Sequence, residues 1–309
     1  IANAWNSTNS AININIPVAD DESLDSGRVQ IIAKVANNDF ENLDSYHFFQ
    51  SSDLNNSKIV SVSESLVESI SGFSENDTIT ISAIIYDVPG NMTIGSESNT
   101  KLVINQSIPI IINSNIESDF SDSSLAGVDN IITLIFETDT EIIIPSVTIS
   151  GQEAIIVNLG DNEWQASYTM QSSDEDGIIP FVIDFMDVYG NPNSVINSTE
   201  DGTSVTFDNS KPSLSFVSIK SSNQDTTFAK VGDTITIIFE ADEVLTSQIA
   251  SINSNNTEIT SINEGLLTKY YAKYVMENTD NEGEINFEII VTDSIGIQSN
   301  PVTETTNNS

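Results

Sequence analysis

Carboxylates are the one abundant chemical resource of this chain, with 46 Asp and Glu against nine Lys and Arg in 309 residues. Two chemistries use such groups. Calcium takes six to eight oxygens from carboxylates, amides, carbonyls and water, and glycoside hydrolysis uses a pair of carboxyl groups across one bond. One acidic pattern also recurs about every hundred residues: "DVPGN" at 87–91, "DVYGN" at 187–191 and "DSIGI" at 293–297. It is either a catalytic loop or a structural turn copied three times. Glycine supplies positive φ, and Asp or Asn side chains bond the backbone of a turn. Because Ile297 replaces the asparagine in the third copy, the pattern tolerates variation and reads as a turn.

Catalysis has little else to work with. The single histidine, His47 in "DSYHFFQ", reads as the start of an aromatic-rich strand, and there is no cysteine. No second histidine exists for H-E-x-x-H, no Ser–His–Asp set recurs, and there is no Gly-rich phosphate loop. Thiolate nucleophiles, disulfides, zinc–cysteine sites and iron–sulfur clusters are excluded. Paired carboxylates stay chemically open, but sandwiches of about 100 residues offer no obvious deep cleft. The expectation is a protein that is not an enzyme.

A formal charge of −37 repels phosphate backbones and anionic lipid, which argues against nucleic-acid partners. An Ile/Asn-rich composition normally brings lysine with it, yet only eight lysines are present, so the acidity looks selected. It reads either as a solvated surface suited to salt water or as carboxylates organised for divalent cations. No apolar run is long enough to cross a bilayer, so membrane insertion is not expected. A start at Ile1 without methionine or signal peptide reads as a mature product or an excerpt of something longer.

The elements that must position these carboxylates are repeated. At an offset of 103, residues 109–137 lie over 212–240, matching Pro109 with Pro212, Asp122 with Asp225, Ala126 with Ala229 and Phe136 with Phe239. At an offset of 106, Ala166, Tyr168, Met170, Gly177, Phe181 and Asp187 fall on Ala272, Tyr274, Met276, Gly283, Phe287 and Asp293. "DTITISAIIYDVPGN" (77–91) makes the first hundred residues a more distant third copy. Three domains are expected, at 1–106, 107–209 and 210–309. Within each the apolar period is two, as in Ile235, Ile237 and Phe239 of "DTITIIFEA", which predicts half-buried strands. Short strands broken by Gly, Asn, Asp and Ser at regular spacing predict an all-β fold of tandem sandwiches. In the third copy the strands are expected at A 213–220, B 233–241, C 246–252, D 257–261, E 268–276, F 285–293 and G 300–306.

"AKVGDTITIIFEADE" (229–243), with the closing Asp-x-x-Gly turn, resembles the immunoglobulin-like repeats of large bacterial and archaeal surface proteins, among them adhesins, surface-layer proteins and filament subunits. The resemblance is strong over 109–306 and weak over 1–106. It implies three tandem immunoglobulin-like β-sandwich domains, an extracellular or cell-surface location and, in many such modules, calcium at the junctions.

Antiparallel topology says which loops would meet there. A–B, C–D and E–F loops face the following domain, while B–C and F–G loops face the preceding one. The second junction then gathers Asp174, Glu175 and Asp176 with Asp208, and Asp242, Glu243 and Asp293 from the third copy. The first gathers Asp20, Asp21, Glu22, Asp77 and Asn105 with Asp139, Glu141, Asp187 and Asn191. These are the candidate calcium ligands. Unbridged, such carboxylates repel and raise one another's pKa. Against them stand the absence of an EF-hand loop or calcium nonapeptide, and the tendency of acidic residues in any such chain to fall in loops.

Eight Asn-x-Ser/Thr sequons, at Asn6, Asn55, Asn76, Asn91, Asn105, Asn197, Asn255 and Asn307, are no more than the composition produces by chance. Trp164 and Tyr270 share one repeat position and are expected in the core. Trp5, ahead of the first convincing strand, is expected to pack on its own domain, with an arm pairing onto a neighbouring subunit as the alternative. Prolines after the linkers "NQSIP" and "DNSKP" are expected to limit hinge freedom. The leading expectation is a non-enzymatic structural protein of a microbial surface layer, stalk or filament, partnered by itself or by neighbouring surface proteins. The alternatives are an adhesion module whose first copy, carrying Arg28, His47 and "YHFFQ", binds a glycan or protein, and an accessory region of a secreted enzyme or phage virion protein.

Overall fold

The computed structural model describes residues 3–264 and 267–306; the sequon at Asn307 lies outside them. The described chain is all-β apart from a four-residue helix at Glu64–Val67 and two 3-10 turns. It forms two compact units, one of residues Ile1–Asn115, Leu134–Tyr168 and Pro180–Thr203, the other of Ile116–Thr133, Thr169–Ile179 and Ser204–Ser309.

The first unit begins with nine strands: β1 (Ala4–Trp5), β2 (Ala11–Val18), β3 (Arg28–Val35), β4 (Glu41–Asn42), β5 (His47–Phe48), β6 (Asn56–Ser63), β7 (Thr78–Tyr86), β8 (Met92–Ile94) and β9 (Leu102–Ile104). One sheet runs β1-β9-β7-β3-β4, with β5 on β3 and β8 on β7, and a β2-β6 pair forms the other. Val29, Ile31, Ala33 and Val35 alternate along β3 and meet Ile16, Val18, Val60 and Val62 of the β2-β6 pair across one core. Trp5 is buried in that same core, its Nε1 donating to Glu68 at 3.3 Å, and β1 pairs in parallel with β9. The N-terminal tryptophan thus packs on its own sandwich.

Ten strands follow: β10 (Ile111–Ser118), β11 (Leu125–Ala126), β12 (Ile131–Thr138), β13 (Ser146–Ile149), β14 (Gln152–Glu153), β15 (Ile155–Gly160), β16 (Glu163–Thr169), β17 (Gly177–Ile178), β18 (Phe181–Asp184) and β19 (Thr206–Phe207). They form sheets of order β10-β12-β16-β15, β14-β13-β18 and β11-β19-β17. Phe136 stacks on Phe185 with centroids 6.5 Å apart. Trp164 is buried, as its repeat position predicts.

The second unit ends with β20 (Leu214–Ser221), β21 (Thr234–Ala241), β22 (Leu245–Ile252), β23 (Asn255–Asn256), β24 (Glu258–Glu264), β25 (Leu267–Val275) and β26 (Phe287–Asp293). Their order is β20-β21-β25-β24 in one sheet and β23-β22-β26 in the other, with bridges from Ile289 to Val302 and Thr292 to Gln298 extending the second. In strand letters this is A-B-E-D against C-F-G, the immunoglobulin constant-type arrangement. The β10-β12-β16-β15 sheet repeats the A-B-E-D order. β21 alternates buried and half-buried residues along its whole length, so Ile235, Ile237 and Phe239 form one wall of the core while Thr234, Thr236 and Glu240 face out. Tyr270 stacks on Phe239 at 5.1 Å. The chain is a series of tandem immunoglobulin-like sandwiches.

Candidate metal centre

All three Asp-x-x-Gly turns close in the same way. The aspartate N–H donates to the carbonyl four residues on, as Asp87 to Asn91, Asp187 to Asn191 and Asp293 to Ile297. Gly90, Gly190 and Gly296 hold φ of 97°, 92° and 95°, the left-handed region where a side chain is strained. One carboxylate oxygen then accepts the N–H at the fifth position, at 2.7 Å for Asp87, 2.8 Å for Asp187 and 2.8 Å for Asp293.

The other oxygen separates the third turn from the first two. Asn91 and Asn191 donate their side-chain amides to Asp87 Oδ2 and Asp187 Oδ2, at 2.7 and 2.8 Å. Ile297 has no amide to give. Asp293, with 0% of its surface exposed, therefore keeps Oδ2 buried without a hydrogen-bond partner. A bare buried carboxylate oxygen costs about 1–3 kcal/mol or more unless something positive meets it.

What lies beside it is more negative charge. Among the described residues, a single trio of acidic side chains brings carboxylate oxygens within 4.8 Å of one another: Asp208, Glu243 and Asp293. The linker just after β19 delivers Asp208, the loop after β21 delivers Glu243, and the end of β26 delivers Asp293. Burial, then Asp208, Asp293, Asp242 and Asp176, push the Glu243 carboxyl up to about 7. Asp208 is raised as well, by burial first and then, against a bond from the Ser210 N–H, by Asp293 and Asp176. Hard oxygen donors in this number suit calcium or magnesium rather than a soft metal, and the orphaned Asp293 oxygen fits such an ion.

The other candidates near this trio are engaged locally. Asp176 accepts from Asn209 N at 2.7 Å and from Ser210 Oγ, holding the linker while its charge acts on Asp208 and Glu243. Asp242 accepts from Ser213 N and Oγ at 2.9 and 2.6 Å. Asp174 closes a turn by accepting from Gln171 N at 2.7 Å, and Glu175 is exposed.

The residues gathered for the first junction are arranged differently. Asp187 and Asn191 are buried, and Asn191 Nδ2 also donates to Asn105 O and Oδ1 at 3.0 and 2.7 Å. Ser7 N donates to Asn191 Oδ1 at 2.8 Å and Asn6 Nδ2 to Tyr189 O at 2.8 Å. Asp139 accepts from Ile110 N and Asp21 from Ser23 N, both at 2.9 Å. Asp20, Glu22 and Glu141 are exposed and Asp77 is half-buried; none of them joins an acidic trio. Neutral amides knit this contact where the other presents bare carboxylates. Asn6, marked in the sequence only as a sequon, and Ser7 carry no local sign of this contact; the Asn191/Ile297 difference is visible in the sequence, but its consequence for Oδ2 is not.

Elsewhere, the chain's one arginine, Arg28, lies between Tyr46 and Tyr86, 4.8 and 4.7 Å from their ring centroids. His47 Nε2 lies 3.0 Å from Asp44 Oδ2, and Phe48 beside it is 62% exposed.

No protein-family profile matches the sequence, and no curated protein matches it. Among solved structures, a chain described under host cell surface retention of a 1.5-MDa bacterial ice-binding adhesin is similar at 15% identity and TM-score 0.38, covering 95% of each chain. The I9–I11 tandem of titin is similar at 10% identity and TM-score 0.27, over 95% of this chain and 92% of that one. Domains FN1–FN3 of chicken CNTN1 are similar at 9% identity and TM-score 0.21, over 96% and 94%. Likeness at this level carries no argument about function; the strand order of the chain itself assigns the fold.

Proposed function

We propose that the chain is a non-enzymatic structural segment of a microbial surface layer, stalk or filament, built of three modules at 1–106, 107–209 and 210–309 and stiffened by calcium where the linker reaches the third module. The observation that carries this reading is the trio Asp208, Glu243 and Asp293, with Asp293 Oδ2 buried and unpartnered. A divalent cation there would be held by Asp208 of the linker and by Glu243 and Asp293 of two loops of the third module, with Asp176 and Asp242 adding charge from behind. It would cancel their repulsion and fasten the linker. At the other contact, the Asn191 amide supplies that fastening without an ion.

Self-association is the partnership this role needs. Ile112, Ile155 and Val157 stand exposed on β10 and β15, where the third repeat carries Ser215, Glu258 and Thr260. The fold does not require them to be apolar, and in a chain of charge −37 they offer apolar surface for contact with another copy. The test is sedimentation and small-angle scattering of residues 1–309 in millimolar calcium and then in chelator. A stiffer particle or an assembly that needs calcium, lost in Asp208→Asn/Glu243→Gln, is the expected result. Identical behaviour in both solutions overturns the reading.

A second reading, adhesion through the first module to a glycan or protein, has its own observation. The Tyr46–Arg28–Tyr86 stack beside exposed Phe48 combines aromatic faces with the chain's one guanidinium. Binding lost in Phe48→Ala/Tyr46→Ala would favour it.

A further inference from the structure

β15 ends the β10-β12-β16-β15 sheet as β24 ends the β20-β21-β25-β24 sheet. The two strands hold one place in the repeat: Ile156 pairs with Ala166 as Ile259 pairs with Ala272, and Ile155 with Ser167 as Glu258 with Lys273. Their solvent-facing residues differ. β24 presents Glu258 and Thr260, whereas β15 presents Ile155, Val157 and Leu159, which are 72%, 45% and 46% exposed. Ser167 and Gln165, their neighbours on β16, add no charge.

An open edge offers unpaired N–H and C=O groups to another chain, and sheet proteins commonly guard it with charge. Of the four edge strands of these two sheets, β10 carries Glu117, β20 Lys220 and β24 Glu258, while β15 carries no charged residue. Among the described residues β15 pairs with β16 alone. A register shift between Asn158 and Gly160 is confined to the hairpin end, and Ile155–Asn158 keep an unbroken register. The uncharged run 154–160 lies between Glu153 and Asp161 and has Val157 at its centre. In a chain of charge −37, such a run is where a second copy approaches with least repulsion.

We propose that β15 pairs antiparallel with β15 of a second copy about a two-fold axis at Val157, joining two four-stranded sheets into one. This rests on the self-association proposed above and gives it a geometry. A two-fold axis normal to the sheet returns each outward side chain to the same face. Val157 therefore meets the second copy's Val157, and Ile155 lies across from Leu159 on either side. Centring on Ile156 sets Glu153 against Leu159, and centring on Asn158 sets Asp161 against Ile155, so the uncharged run selects Val157. Main-chain bonds supply the attraction, and the charges on the other edges supply the choice of strand.

The test is sedimentation of residues 1–309 in chelator, over protein concentrations from about 10 to 500 μM. A dimer is expected, and raising salt from about 0.05 to 0.5 M strengthens it several-fold by screening two acidic chains from each other. Ile155→Glu installs the residue that the third repeat carries at this place; it keeps the melting temperature and dimerises at least tenfold more weakly. Because the chain has no cysteine, Val157→Cys crosslinks to itself under mild oxidation. Ile155→Cys, about 14 Å from its own copy along the paired strands, does not. A chain that stays monomeric throughout overturns both this pairing and the self-association beneath it. Association that Ile155→Glu leaves intact, or crosslinking through Ile155→Cys equal to that through Val157→Cys, overturns the pairing alone and assigns self-association to another surface.

Discussion

Replacing Glu243 by glutamine tests whether the acidic trio is strained without a cation. Glu243 sits within 4.8 Å of Asp208 and Asp293, and its carboxyl is pushed from 4.5 up to about 7. A tenfold change in proton affinity is worth about 1.4 kcal/mol, so full ionisation costs the fold on the order of 3 kcal/mol, and roughly half of that once solvent screening of a half-exposed group is allowed for. The sign follows from proton counting. Between pH 4.5 and about 7 the folded chain holds the proton that the unfolded chain has lost, so metal-free stability falls as pH rises through this window and levels off above it. Glu243→Gln removes that slope. In chelator at pH 8 the variant is expected to gain about 1–2 kcal/mol, seen as a melting temperature several degrees higher, and to match the wild type at pH 4. Calcium reverses the ranking, because the wild type then has a ligand that the variant lacks. Thermal unfolding at five or six pH values, with calcium and with chelator, measures all of this. Superimposable pH profiles of the two proteins in chelator would refute the reasoning, since the carboxylates would then be too well solvated to feel one another.

The Ile297 position offers the converse test: Ile297→Asn supplies Asp293 Oδ2 with the amide that Asp187 already has, and calcium affinity by titration calorimetry is expected to drop about tenfold, or 1.4 kcal/mol. Removing that amide where it exists, in Asn191→Ala, leaves Asp187 Oδ2 and the Asn105 oxygens without their donor and is expected to destabilise by about 1–3 kcal/mol in urea unfolding, with no calcium dependence. Phe239→Ala removes a fully buried ring stacked on Tyr270, and calorimetry is expected to show a loss of about 3–5 kcal/mol confined to the transition of the third sandwich. Trp5→Ala unpins β1 from the core it shares with Ile104, and faster hydrogen exchange at Val103 and Asn105, whose N–H groups bond Asn3 and Trp5, reports the detachment.

Much of this was written in contiguous residues. The period-two runs placed strands A to F of the third repeat within a few residues of β20, β21, β22, β24, β25 and β26, because alternation is a property of neighbours along one strand; strand G, expected at 300–306, is instead only isolated bridges at Gln298 and Val302. The misses are of the same local kind: the two-residue β23 pairs only by folding back on β22, and β24 runs on to Glu264 because its partner β25 does. The Asp-x-x-Gly turns were equally legible, since their hydrogen bonds close within five residues and need one glycine at positive φ. The internal repeat was plain as well, and with it the expectation that acidic loops would gather.

Which acids meet was decided only in three dimensions. Asp208, Glu243 and Asp293 come from three separated segments, while Asp176, Asp242 and Asp174, just as acidic and near in sequence, spend their oxygens on Ser210, Ser213 and Gln171. That choice depends on side-chain direction and on which backbone donors lie within 3 Å, and composition records neither. Local pattern follows from bonds and periods a few residues long. A site follows from the distance between groups that only the packed core brings together.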